Sequence, residues 1–129
     1  MNTKILLAVV AMMFAASISL AESAVEEIEV GVLIQRVIAG EDFSGKEIIV
    51  SGVALNQTTS RDRVVGIGTS ETYNSSGYLN FVSVYDTTVM IKEGKNVSVR
   101  VLIETSMATK LGGKSVVMIE SAFVECVAC

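Results

Sequence analysis

The stretch Gly45–Leu55, GKEIIVSGVAL, decides the fold. Ile48, Val50, Gly52 and Ala54 lie on one side of a period-2 strand, and Gly52, with no Cβ, lets that strand bend sharply. A bent strand can pair in two directions at once, which is how a small five-stranded barrel begins. Four further strand-like runs follow it in the chain.

Working outward, the polar run Asn56–Arg63 buries nothing and reads as a loop. Val64–Ile67 is a short second strand, and the Ser-, Thr-, Asn- and Gly-rich run from Thr69 to Gly77 is a second loop. Leu79–Tyr85 is a third strand with two competing interiors: Leu79, Phe81 and Tyr85 on one face, Val82 and Val84 on the other. The fourth alternates cleanly, with Val97, Val99, Val101 and Ile103 facing a core and Asn96, Ser98, Arg100 and Glu104 facing water. Met107–Lys114 reads as a loop closed by Gly112-Gly113. Val116–Val124 is the fifth strand, where Val117 and Ile119 share a face and a bulge at Glu120-Ser121 is expected to return Ala122 and Val124 to it.

Upstream, Ser23 and Glu26 have the spacing of a capping box, Glu26, Glu27 and Glu29 come early, Arg36 comes late and Gly40 follows. These signals predict a helix over residues 24–39 with Val30, Leu33, Ile34, Val37 and Ile38 as its apolar stripe. The alternation of Ile28, Val30, Val32 and Ile34 would suit an extra strand instead. Further upstream, Lys4, an uncharged apolar run from Ile5 to Ile18, and small residues Ser19 and Ala21 before Glu22 form a secretory signal peptide over residues 1–21. Its apolar run is shorter than the ~20 residues that span a bilayer. The expected product is an exported domain, Glu22–Cys129, periplasmic or extracellular, with the barrel over residues 45–126.

Cleavage removes only Lys4 among the charged residues, leaving nine basic against fourteen acidic. A weakly acidic chain disfavours polyphosphate partners. There is no repeat, no linker and no low-complexity segment, so one domain is expected.

Five short strands, Gly45-Lys46 leading into Ile48-x-Val50-x-Gly52, Phe81-Val82-Ser83-Val84-Tyr85, Glu93-Gly94-Lys95-x-Val97-x-Val99, and Val117-x-Ile119 running towards Cys126 together resemble an OB-fold. More narrowly, they resemble a family of exported or membrane-attached bacterial domains described as similar to tRNA-anticodon-binding OB-folds. The resemblance covers about residues 24–126 and rests on strand patterning. It implies a barrel whose N-terminal helix covers an open end. Where such barrels often carry a helix between strands three and four, Asp86–Lys95 leaves room for one turn at most. OB barrels bind nucleic acid, sugar or protein, so the family implies no single activity.

The chain contains no His, which removes the commonest general base, the Ser-His-Asp triad and most zinc sites. Leu111-Gly112-Gly113-Lys114-Ser115 looks like the end of a phosphate loop, but Ala108 stands where its first Gly is needed and a strand follows. Cys126-Val127-Ala128-Cys129 has the spacing of redox, metal and small-disulfide sites alike. A catalytic pair opens a helix that lowers its first thiol's pKa, whereas this one follows a strand. No metal site and no cofactor are expected.

In an OB barrel the ligand face is formed by strands two and three with the loops after strands one and four. Arg61, Arg63, Tyr73, Tyr78, Lys110 and Lys114 are the residues expected on or beside that face. The expected function is a non-catalytic binding module for a protein, glycan or small anion. The alternatives are a thiol-disulfide or metal-linked role through Cys126 and Cys129, and single-stranded nucleic-acid binding. Intact-mass measurement of exported material should find a chain beginning at Glu22; retention of Met1–Ala21 would mean an anchored protein.

Overall fold

The computed structural model describes residues 25–58, 63–74 and 80–129. The segment expected to be a signal peptide, residues 1–21, lies outside them, as do Ser23, Arg61, Tyr78 and Leu79. The elements are β1 (Glu27–Glu29), α1 (Val30–Ile38), β2 (Glu47–Gln57), β3 (Val64–Gly68), α2 (Ser70–Asn74), β4 (Val82–Tyr85), β5 (Asn96–Leu111) and β6 (Lys114–Ala128).

The strand order β2-β3-β4-β6-β5 closes through a β2–β5 ladder from Glu47↔Leu102 to Val53↔Asn96. Four pairings in this ring are antiparallel, and β4–β6 is parallel. The result is a five-stranded closed mixed barrel, mainly β and compatible with an OB-fold-like barrel. Its interior is lined by Ile48, Val50, Ala54, Val65, Ile67, Val82, Val84, Val97, Val99, Val101, Ile103, Val117 and Ile119. For β4 this settles the two competing faces: Val82 and Val84 are buried, while Phe81 and Tyr85 are only half-buried.

β2 does the work expected of it, and more. Its Glu47–Val53 portion pairs with β5 on one edge. The other edge pairs with β1 in parallel at Ile49, Val50 and Ser51, then with β3 from Val53 onward. Gly52 stands where that edge passes from one neighbour to the next. A Cβ there would sit 2.7 Å from Val30 Cγ1, 2.8 Å from the Gly68 carbonyl oxygen and 2.9 Å from Ile67 Cγ2.

The early segment is shorter as a helix than its cap signals predict, and it is both a strand and a helix. Glu27–Glu29 joins the sheet because Ile28 is buried between two exposed glutamates. Glu29, not Ser23, caps α1, its carboxylate accepting from the backbone N–H groups of Gly31 (3.0 Å) and Val32 (3.3 Å). Two charge-assisted bonds at the positive end of the helix dipole explain why the helix starts at Val30. Val30, Leu33, Ile34 and Val37 are buried in the same cluster as the barrel interior, and α1 contacts β2, β3, β5 and β6.

After α1, Phe43 enters the core completely buried, with the Arg36 guanidinium 4.8 Å and the Lys46 ammonium 5.1 Å from its ring centroid. Arg36 also forks onto Glu41 (3.0 and 2.6 Å) and reaches Glu26 at 2.7 Å. The hydrogen bond from Arg36 holds the Glu41 carboxyl below the usual carboxylate range, and the Ser44 backbone N–H does the same for Asp42.

Three expectations are corrected downstream. Met107–Lys114 is not a loop: β5 and β6 continue as a hairpin arm to Leu111↔Lys114, turned by Gly112 (φ 58°) and Gly113 (φ 81°). Two successive positive φ values suit the tight turn that matches strand twist. The bulge expected at Glu120-Ser121 lies on the partner strand, at Glu104, between the pairs Ile103↔Ser121 and Thr105↔Glu120. Ser121 therefore keeps the inward alternation, fully buried, its hydroxyl donating to the Ser83 carbonyl at 2.9 Å. Ala122 stays half-buried and Val124 exposed. The run from Thr69 also contains α2, started by Thr69, whose hydroxyl accepts from the Thr72 N–H.

Asp86–Lys95 forms no helical turn. Its central part is held by the Gln57 carboxamide, which donates to Thr87 Oγ1 (2.9 Å) and the Val89 carbonyl (3.1 Å) and accepts from the Ile91 N–H (2.9 Å). Ile91 is thereby buried in the core cluster. Gly52→Ala should lower stability by about 1–3 kcal/mol, since one of the groups in the way is a backbone carbonyl that cannot rotate aside. Chemical denaturation checks this, and an unchanged midpoint would refute the tight handover.

Candidate functional site

Small residues on adjacent strands border a depression on the outer surface. The pairs Glu29↔Ser51, Ser51↔Ser98 and Ser98↔Ala128 set four residues in a row across β1, β2, β5 and β6. Gly52 and Gly68 lie beside them. A concavity of about 360 Å³ results, with Thr69 and Ser70 at the start of α2 and Asn96 at the start of β5 completing its rim. The hydroxyls of Ser51, Thr69, Ser70 and Ser98, the Asn96 amide and the Glu29 carboxylate, already engaged in capping α1, share its lining with the apolar Val53, Val97 and Ala128.

Next to it lies a second, more open concavity of about 620 Å³ lined by Tyr73, Lys92, Glu93, Gly94 and Lys95. The two share their framework: α2 gives Ser70 to the first and Tyr73 to the second, and the chain passes from Lys95 in one to Asn96 in the other. Tyr73 leans on the turn so closely that a Cβ on Gly94 would lie 2.8 Å from its hydroxyl. Gly94 also has a positive φ of 83°, so both sterics and backbone require glycine there.

Cys126 and Cys129 form a disulfide, and no cysteine is free. The bridge folds the end of β6 beside the start of β5, where Ala128 is opposite Ser98 and the Lys95 ammonium meets the Cys129 carbonyl. It thus holds one wall of the first concavity. Cys126 lies within β6, and Cys129 follows its last residue.

The sequence-predicted residues fall at separate places. Arg63 is exposed, and its carbonyl accepts from the Thr87 N–H just beyond the Tyr85 end of β4. Lys110 and Lys114 are exposed on the hairpin arm, whose β6 edge is tied by the Asn80 carboxamide to Ser115 and Val117, before the Val82 end of β4. Tyr73 is the one that lines a concavity. Sequence reading missed Glu29, Ser51, Ser70, Asn96, Ser98, Lys92 and Lys95. The Ser51/Ser98 pair follows from the strand register, which periodicity alone does not supply.

Among the described residues, no group of His, Cys, Asp and Glu could hold a metal ion, and no buried side-chain N or O lacks a partner. No helix among them is long and apolar enough to cross a membrane. No family model, curated protein or solved structure matches the chain. The OB-like likeness therefore rests on strand order and register.

Replacing both Cys126 and Cys129 by Ser should reduce stability by less than the roughly 3 kcal/mol expected for a bridge closing a 15-residue loop, because this loop is much shorter. Thermal unfolding reads this out. A larger loss would mean that the tail supports the whole barrel.

Proposed function

We propose that the chain is an exported, non-catalytic binding module that takes a glycan in the paired concavities beside α2. The observation that carries this reading is the set of hydroxyl and amide side chains, Ser51, Ser70, Asn96 and Ser98, that share one concavity with the apolar Val53, Val97 and Ala128. Sugars present many hydroxyls that both donate and accept, and a surface of Ser, Asn and backbone groups answers both needs. Tyr73, at the junction with the second concavity, supplies an apolar ring face for a sugar ring. Lys92 and Lys95 favour an acidic sugar at that end, and the Glu29 carboxylate favours a neutral one at the other.

The alternatives gain less. Single-stranded nucleic acid needs a basic groove with several stacking rings, and among the described residues Tyr73 is the only aromatic one lining either concavity. A redox role would draw on a thiol with a lowered pKa, for which the strand setting of Cys126 gives no cause.

The test is titration calorimetry of the purified chain against neutral and uronic-acid-containing oligosaccharides. Binding of an oligosaccharide is expected, weakened about fivefold by Ser98→Val and by Tyr73→Ala, each of which removes interactions worth roughly 1 kcal/mol. Unchanged affinity in both variants would remove this site, and no heat from any oligosaccharide would remove the glycan.

A further inference from the structure

The hairpin arm leaves one strand edge unpaired. β5 is covered by β2 as far as Leu102, and Ile103 still exchanges backbone hydrogen bonds with Gly45 and Lys46. Ser106 takes the Phe43 N–H on its hydroxyl. Beyond it, Met107–Leu111 is exposed at every residue and pairs only with β6 among the described residues. The β6 edge of the same arm is instead capped by Asn80, which bonds the Ser115 carbonyl and the Val117 N–H.

That asymmetry fixes the direction of the backbone groups. Ser115 and Val117 turn their groups away from β5, so in an antiparallel ladder their opposites, Lys110 and Ala108, turn theirs away from β6. The free edge therefore presents the N–H and C=O groups of Ala108 and Lys110 outward. On one face of the arm, Met107 (54 % exposed) is opposite Met118 (52 %), and Leu111 (65 %) continues the row two positions along. An open edge beside an apolar face is a template for another strand.

We propose that this edge pairs with the same edge of a second copy of the chain, antiparallel about a two-fold axis at Thr109. In that register Ala108 and Lys110 of one copy exchange both backbone hydrogen bonds with Lys110 and Ala108 of the other. Met107 meets Leu111 of the second copy at the closer, non-hydrogen-bonded spacing, twice by symmetry. Each Lys110 faces an alanine and not the other lysine, so no like charges are directly opposed. The segment is thus self-complementary in hydrogen bonding, apolar contact and charge, as an isologous interface requires. The two arms join into one four-stranded sheet whose outer face carries Met107, Leu111 and Met118 from both copies. This surface is separate from the concavities beside α2.

Sedimentation equilibrium of the purified chain from micromolar to millimolar concentration should show the mass rising towards that of a dimer. Ala108→Pro removes an N–H that no intramolecular ladder uses, and should raise the dissociation constant at least about tenfold by deleting two symmetric hydrogen bonds. Independently, Thr109→Cys should give an inter-chain disulfide under oxidation, and Lys114→Cys, on the far strand of the arm, should not. A monomer at every concentration would overturn the proposal, whatever other strand then binds the edge. So would a dimer that is indifferent to Ala108→Pro and fails to crosslink through Thr109→Cys.

Discussion

Everything in this barrel depends on one strand satisfying three neighbours. β2 must bond β5 along one edge and share its other edge between β1 and β3, and unpaired backbone groups in the interior would be costly. The join is tight because Val30, Ile67 and the Gly68 carbonyl all converge on Gly52. On the outer face of the same ladder, Ser51 and Ser98 border the first concavity.

A second set of contacts holds the cap on the barrel. α1 delivers its apolar stripe to the core, and Arg36 binds the helix to the following turn through Glu41 and the face of Phe43, and to the segment before β1 through Glu26. These charges are at the surface, where a single ion pair contributes little. Their value lies in geometry: the bidentate Glu41 contact orients the guanidinium over a ring that is itself fully buried. Arg36 is accordingly committed to structure and is poorly placed to bind a partner. Arg100 plays a similar part on the outer sheet, bridging Glu47 of β2 and, more loosely, Glu125 of β6.

How much of this was legible in the sequence depends on how one-sided each element is. β5 alternates because one face is core and the other water, so Val97 to Ile103 could be read directly. That β2 serves more than one neighbour around Gly52 was readable from its alternation and that glycine. β1 is three residues long, too short for any period to register, and its parallel partner is distant in sequence. The cap signals at Ser23 and Glu26 competed with Glu29, a residue whose capping role depends on where the chain leaves the sheet. Phe43 sat in a turn-like run, and nothing local announces that a turn will drop its one aromatic residue into a core. The arm was taken for a loop because both of its strands meet water at the tip and so show no alternation. The grouping of Ser51 with Ser98 needed the register of the closing ladder, which is a tertiary fact.

The closing ladder also has a kinetic meaning. β5 and β6 are joined by two glycines, so their hairpin is a local event of the microsecond class. The β2–β5 ladder joins residues more than a third of the chain apart, and β4–β6 is a parallel, non-local pairing. Such pairings come late, after the loop-closure entropy has been overcome. A chain emerging N-terminal end first would expose the β5-pairing edge of β2 until β5 had been made. During that interval, the strand on which the barrel depends is also its most vulnerable segment.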